Sequence, residues 1–107
     1  MAAKVVYFVR MRAKENHAEE VRELLLENFA NVEKDPGNVT FAVHRSRDDS
    51  NEFWMYEVWE SQEAVDTHES STEFLDYRER VRPLVEGDSV VWGNTSLLAV
   101  AGYNDSP

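Results

Sequence analysis

Histidine is the side chain of this sequence best suited to acid–base chemistry, because its unperturbed pKa lies near neutral pH. The chain has three histidines and no cysteine, so cysteine nucleophiles and thiolate metal sites are excluded. His68 is the leading catalytic candidate, since it follows an aromatic strand-type segment and the start of a helix. It could act as a general acid or a general base. It could equally be a hydrogen-bonded structural residue on the inner edge of that helix.

Three tryptophans, one further histidine and one arginine are candidates for contacts with a substrate. Trp54, Trp59 and Trp92 could form an aromatic pocket for a flat polycyclic compound, or they could be ordinary core residues. His44 could line such a pocket or pair across a sheet. Arg78 could stabilise negative charge that develops on a substrate near the base, or it could belong to a charged helix face.

The composition argues against metals, cofactors, nucleic acids and membranes. Three histidines without close spacing do not predict a metal site, and four glycines form no phosphate-binding cluster for a flavin or nicotinamide. The formal charge of −10, from 21 acidic and 11 basic residues, disfavours nucleic acid and anionic membrane surfaces. Because no apolar run approaches the roughly 20 residues of a membrane helix, and no signal peptide pattern is visible, we expect a soluble, cytoplasmic protein.

The strands that must carry these residues follow from alternating apolar patterns. A length of 107 residues predicts one domain over residues 1–107, with a core at about 4–101 and a flexible tail at 102–107. The predicted strands are residues 4–12, 39–46, 53–60 and 89 to about 101.

The helices are predicted from their end signals and their apolar periodicity. Asn16 and Glu19 are spaced as a capping box at the start of the first helix, and Asp35-Pro36-Gly37 ends it. Ser61 is the predicted N-cap of the next helical segment, which pauses at residues 70–72 and then resumes. The resulting order is βαββαβ, the ferredoxin-like α+β arrangement of a four-stranded antiparallel sheet with helices on one face.

The third strand is apolar on both of its faces, which has a consequence for assembly. Helices on one face leave the other face of the sheet uncovered, and exposed aromatics there would favour aggregation or a partner. The sequence therefore predicts a two-fold homodimer in which the open sheet faces pack together. One face of this strand carries Phe53, Met55 and Trp59, and the other carries Trp54, Tyr56 and Val58.

The segment from Tyr56 to Ala64, Tyr-Glu-Val-Trp-Glu-Ser-Gln-Glu-Ala, followed by His68 and by Ser71 to Phe74, resembles a known family. Together with the Asp35-Pro36-Gly37 turn, it is similar to the antibiotic biosynthesis monooxygenase type of the dimeric α+β-barrel superfamily. The resemblance covers residues 4 to about 100 and implies that fold and a homodimer. The superfamily includes cofactor-free oxygenases of phenols and quinols, haem-degrading enzymes and proteins of unassigned activity.

Polyketide-oxidising members of this family carry an asparagine four positions before the tryptophan that ends the third strand, and a tyrosine six positions after it. This chain keeps Trp59 but has Met55 and Val65 at those two positions. The arginine that these members carry on the following helix corresponds to Arg78 or Arg80. The resemblance therefore implies an oxygenase that lacks part of the family's residue set.

Haem-degrading members use an asparagine in the first strand, a tryptophan soon after the third strand and a histidine on the next helix. Here the first strand has no asparagine, and His68 and Arg78 occupy the other two positions, so the resemblance does not favour haem degradation. We therefore expect a homodimeric, cofactor-independent monooxygenase that oxidises a small aromatic, phenolic or quinol substrate between sheet and helices. The alternative is a non-catalytic dimeric module that binds a small ligand or a protein.

Overall fold

The computed structural model describes residues 4–96, 98 and 99 of the 107-residue chain. It confirms the βαββαβ order, and the predicted pause divides the second helical region into two helices. Two short 3-10 turns, Arg82–Leu84 and Gly87–Ser89, join the last helix to the last strand. The elements are β1 (Val5–Arg12), α1 (Ala18–Glu33), β2 (Asn38–Arg45), β3 (Glu52–Trp59), α2 (Gln62–Glu69), α3 (Thr72–Val81) and β4 (Val91–Ser96).

The four strands form one antiparallel sheet in the order β2-β3-β1-β4, so β1 and β3 lie at its centre. Val9 pairs with Met55 on one side and with Trp92 on the other. Directly paired residues point to the same face of a sheet, so these three side chains share the face that bears the helices. Trp54 pairs with Arg10 and with His44, and these three lie on the opposite face.

The hydrophobic core fills the space between the sheet and the helices. Trp59 and Val65 are fully buried, so the end of β3 and the middle of α2 are fixed against each other. The buried apolar residues of the two core clusters are Tyr7, Val9, Met11, Ala13, Val21, Leu24, Leu25, Val32, Phe53, Met55, Trp59, Val65, Tyr77, Val81 and Val85.

The opposite face of the sheet exposes large apolar side chains, as the two-sided pattern of the central strands predicts. Phe8, Trp54 and Val91 are 48%, 41% and 48% exposed. The ring centroids of Phe8 and Tyr56 lie 5.3 Å apart on this face, and the Arg10 guanidinium lies 5.8 Å from the Trp54 ring centroid. These side chains form one aromatic surface, which we call the open sheet face.

The predicted cap of α2 is confirmed, whereas the predicted cap of α1 is wrong. The Ser61 hydroxyl accepts a hydrogen bond from the backbone N–H of Ala64 at 3.1 Å, and Ser71 caps α3 in the same way through Phe74. Asn16 instead has a φ of 71°, the left-handed conformation that asparagine tolerates. The chain turns there, and α1 starts one residue later than a capping box at Asn16 requires, with His17 at the N-cap position.

The final strand starts later in the structure than the sequence predicts. β4 starts at Val91, two residues after the predicted start, because Gly87–Ser89 forms a 3-10 turn. Residues 97 and 100–107, which include the end of the predicted strand and the predicted flexible tail, lie outside the described residues. Within residues 4–96, no helix has the length and the apolar character needed to cross a membrane.

Candidate functional site

An apolar cavity of about 370 Å³ lies between the helix-bearing face of the sheet and α3. This volume falls within the range of small-molecule sites, which combine apolar walls with a few polar groups. The apolar walls are formed by Val9, Met11, Met55, Phe74, Val81, Val85, Val90 and Trp92. The polar side chains that reach it are Asn28, Glu57, His68, Tyr77, Arg78 and Arg82.

The position of α2, and with it the position of His68, is set by two local features. The Ser61 cap fixes where the helix begins, and His68 lies in its last turn. At Gly37 the chain passes so close to α2 that an added Cβ atom would lie 2.7 Å from the Cβ of Ala64. The Gly37 carbonyl also accepts the backbone N–H of Glu60 at 3.0 Å, which ties this turn to the end of β3.

His68 lies between two aromatic rings and is 7% exposed. Its ring centroid is 4.6 Å from that of Trp59, with a stacked interplanar angle of 29°, and 4.6 Å from that of Phe74. Burial lowers the pKa of His68, and the Asp35 carboxylate, 3.8 Å from Nδ1, opposes this only in part. The imidazole is therefore neutral at pH 7 and can accept a proton.

A second, more polar cavity of about 430 Å³ lies on the other side of His68. His68, Asn28 and Phe74 line both cavities and so form the wall between them. Asp35 and Lys34 line only the second cavity. His68 is thus in contact with the apolar cavity on one side and with a polar cavity that contains a carboxylate on the other.

Glu57 is the second titratable group of the apolar cavity and was not among the predicted site residues. It lies on β3 between Met55 and Trp59 and is 9% exposed. Its Oε1 accepts a hydrogen bond from the indole Nε1–H of Trp59 at 3.0 Å. Burial is the main cause that raises the pKa of Glu57 to about 7. The hydrogen bond from the Trp59 indole opposes this increase, and the negative charge of Glu69 adds to it. The strand period of two was the available signal, since it places Glu57 on the core face.

Tyr77 and Asn28 add neutral polar groups to the same cavity. Burial, together with the negative charge of Glu57, raises the pKa of Tyr77, so its hydroxyl remains protonated. Asn28 is 4% exposed and extends from α1. These polar groups do not make a metal site: among the described residues, no three His, Asp or Glu side chains come together as ligands.

Arg78 is the arginine of α3 that reaches the cavity. Its guanidinium lies 6.0 Å from the Phe74 ring centroid, and the residue is exposed to solvent. Arg80 instead donates to Glu27 at 2.7 Å and to Asp76 at 3.2 Å on the outer surface of the helices. Of the two arginines that the resemblance left open, Arg78 is therefore the one beside the cavity.

The structure brings three of the six predicted site residues to the cavity wall, namely His68, Arg78 and Trp92. Trp59 is fully buried behind His68 and Glu57, which it contacts by stacking and by its indole N–H. The remaining two, Trp54 and His44, lie on the open sheet face and do not reach the cavity. The sequence could not decide which residues of β3 face the helices and the pocket, because this strand is apolar on both faces.

Comparison with known proteins adds a family and a fold. The model of the family described as antibiotic biosynthesis monooxygenase matches residues 5–80. A Pseudomonas aeruginosa crystal structure is 24% identical with a TM-score of 0.85, covering 92% of this chain and 98% of that chain. A Nitrosomonas europaea structure that bears the same family name is 22% identical with a TM-score of 0.84, covering 95% and 97%. A Mycobacterium tuberculosis structure is 23% identical with a TM-score of 0.85, covering 94% and 100%.

Proposed function

The chain belongs to the antibiotic biosynthesis monooxygenase family, and on that premise we propose that it is a cofactor-independent monooxygenase. Its substrate is a small aromatic phenol or quinol, which is oxidised by molecular oxygen. The observation that carries the proposal is the apolar cavity of about 370 Å³ with a buried, neutral imidazole in its wall. Such a cavity accommodates a flat aromatic ring and brings its hydroxyl group near a proton acceptor.

In this reaction the enzyme first makes the substrate electron-rich. Removal of the hydroxyl proton gives a phenolate, which transfers an electron to oxygen far more readily than the neutral phenol does. Recombination forms a peroxide on the ring, and loss of water leaves a quinone. One oxygen atom enters the product and the other leaves as water, so the substrate itself supplies the electrons.

We assign His68 to the movement of protons between the cavity and solvent, because it contacts both cavities and has Asp35 beside it. Arg78 stabilises the negative charge that develops on the substrate and on the peroxide. Trp92 contacts the substrate ring at the edge of the cavity, and Trp59 holds the His68 imidazole in position by stacking. Each of these roles uses a group at or directly behind the cavity wall.

We assign the open sheet face to a homodimer in which two sheets pack together. Phe8, Trp54 and Val91 expose a large apolar area there, which water disfavours. A second copy of the same face would bury this area under two-fold symmetry. In this arrangement Trp54 and His44 contribute to the subunit interface.

A non-catalytic dimer that binds a small ligand is the second candidate. It is favoured by Met55, which lines the cavity where polyketide-oxidising relatives carry a polar amide. The cavity of such a protein would hold an aromatic ligand without transforming it. The two candidates therefore share a ligand class and differ only in turnover.

A measurement of oxygen consumption distinguishes the monooxygenase from the non-catalytic dimer. The purified protein is mixed with a panel of quinols and anthrones in an oxygen electrode, and products are identified by mass spectrometry. Oxygenation by the wild type, with at least a tenfold lower rate for His68→Ala and a clearly lower rate for Trp59→Phe, is expected. Binding without oxygen uptake would support the second candidate, and rates unaffected by both substitutions would refute the assigned roles.

A further inference from the structure

Glu57 is a buried carboxyl group that the reaction above does not use. It projects from the second half of the central strand β3 into the cavity wall, and its neighbours on the same face of the strand are Met55 and Trp59. The isolated burial of a carboxylate is costly. The fold retains it at a cavity wall, where a ligand can reach it, rather than in a closed part of the core.

The geometry of Glu57 leaves it available to a ligand. The indole of Trp59 binds Oε1 at 3.0 Å and so orients the carboxyl group. The charges that act on it are few: Glu69 of α2 raises its pKa, and no cation is among the causes of its shift. The other titratable or polar groups that line this cavity are Asn28 of α1, His68 of α2, Tyr77 and Arg78 of α3, and Arg82 of the 3-10 turn after α3.

We propose that Glu57 is a further acid–base residue of this cavity, which accepts the hydroxyl proton of a bound phenol and selects neutral phenols over aromatic carboxylates. The O–H bond of the phenol breaks, an O–H bond forms on the carboxylate, and the electron pair stays on the phenolic oxygen. No oxidant or reductant is needed. The inference rests on the proposed function for its substrate class, but the binding step can be tested without turnover.

Glu57 accepts the proton, rather than His68, because this transfer creates no additional buried charge. Transfer from a phenol to ionised Glu57 leaves the cavity with a single negative charge, which moves from the carboxylate to the phenolate. Transfer directly to His68 would instead create an imidazolium and a phenolate beside an ionised Glu57, and buried charges are costly. His68 can later exchange the proton with solvent on the side of Asp35.

The negative charge of Glu57 also predicts that the cavity selects between neutral and anionic ligands. An aromatic carboxylate that enters the cavity places a second negative charge near Glu57. Two like charges in one cavity repel each other, and this repulsion is equivalent to about one pKa unit or more. A neutral phenol instead donates a charge-assisted hydrogen bond to the carboxylate, which is roughly twice as strong as a neutral one. Glu57 therefore favours the phenol over a carboxylate of similar shape.

The test compares the binding of 4-methylphenol, which is neutral at about pH 8, and 4-methylbenzoate, which is ionised there, to wild type, Glu57→Gln and Glu57→Met. Affinities are measured by calorimetry at about pH 8, where Glu57 is mostly ionised. For both variants we expect the affinity ratio of phenol to benzoate to fall by about tenfold or more, which is one pKa unit of interaction. The matched control is Glu60→Gln, which removes the same charge from an exposed residue directly after β3 and should leave the ratio unchanged.

A spectroscopic readout tests the proton transfer itself. Bound 4-nitrophenol and Glu57 should titrate as a coupled pair, so the phenolate band of the wild-type complex rises in two steps and that of Glu57→Gln in one. A purely structural Glu57 would leave both the ratio and the titration unchanged, because glutamine can still accept the Trp59 hydrogen bond. That result overturns the inference, and so does an absence of binding by the wild type.

The two proposals fail separately. A protein that shows this selectivity but consumes no oxygen refutes the monooxygenase and keeps the role of Glu57 in binding. A protein that oxygenates quinols, while Glu57→Gln retains the wild-type selectivity and titration, refutes the inference alone. If Glu57→Gln does not fold, the same readouts are taken from Glu57→Met, which has a similar length and no charge.

Discussion

Replacement of Glu57 by glutamine should change the way in which the stability of the fold depends on pH. The substitution preserves the size of the side chain and an oxygen that can accept the Trp59 indole N–H, 3.0 Å away in the wild type. It removes the ionisable group whose pKa burial raises from 4.5 to about 7. The difference between the two proteins therefore isolates the cost of ionising a carboxyl group at this position.

The sign and the size of this pH dependence follow from the linkage between proton binding and folding. Because the folded state holds the Glu57 proton more tightly than the unfolded state does, the contribution of Glu57 to the wild-type free energy of unfolding falls as pH rises from about 4.5 to about 7. At about 1.4 kcal/mol per pKa unit, the full loss is about 3 kcal/mol. His68 has the opposite sign, since its pKa is lowered, but it is present in both proteins and cancels from the difference.

Urea denaturation of both proteins at intervals from about pH 4 to about pH 8 measures this difference. Relative to wild type, Glu57→Gln should gain about 3 kcal/mol between the two ends of that range. Glu60→Gln, whose side chain is exposed, is the control and should run parallel to wild type. A difference between Glu57→Gln and wild type that is flat, or that falls as pH rises, would refute the assignment of a raised pKa to this carboxyl group.

Three other substitutions test the features that position the site. Ser61→Ala removes the cap of α2 and should cost about 1 kcal/mol in urea denaturation, and an unchanged midpoint would contradict the cap. Gly37→Ala places a Cβ atom against Ala64 and should cost about 1–3 kcal/mol. Adding Ala64→Gly should recover part of this cost, and strict additivity would show that the two residues do not clash. Phe8→Glu places a charge on the open sheet face and should convert a dimer to a monomer in light scattering, whereas a wild-type monomer would refute the interface.

The fold could be predicted from the sequence because its signals are local. Ser61 is a helix cap that is followed by a helical apolar pattern, and Asp35-Pro36-Gly37 ends a helix. The central strands β1 and β3 are short segments rich in β-branched and aromatic residues. The start of α1 was predicted wrongly because Asn16 satisfies two local rules at once: it is a good N-cap and it also tolerates a left-handed turn. In the structure Asn16 adopts the left-handed turn conformation, and α1 starts at Ala18.

The site could be predicted only in part, because it depends on which face of the sheet the helices cover. His68 and Arg78 belong to helices that must pack on the sheet, so both reach the cavity. Trp54 and Trp92 look equivalent in sequence, yet strand register places them on opposite faces. Glu57 was overlooked because an acidic residue in a strand is usually read as solvent-facing, whereas its position between Met55 and Trp59 places it in the core.

The stack of Trp59 on His68 also gives the protein an internal optical indicator. Trp59 is fully buried, whereas Trp54 and Trp92 are 41% and 52% exposed, so its emission is expected at shorter wavelength than theirs. A protonated imidazole in contact with an indole quenches its fluorescence more strongly than a neutral one. The short-wavelength emission therefore reports, without a label, the charges of the two titratable groups in contact with the Trp59 indole, His68 and Glu57. Because His68 lines the apolar cavity, a ligand that fills the cavity would change this signal, which can then follow both binding and proton movement in real time.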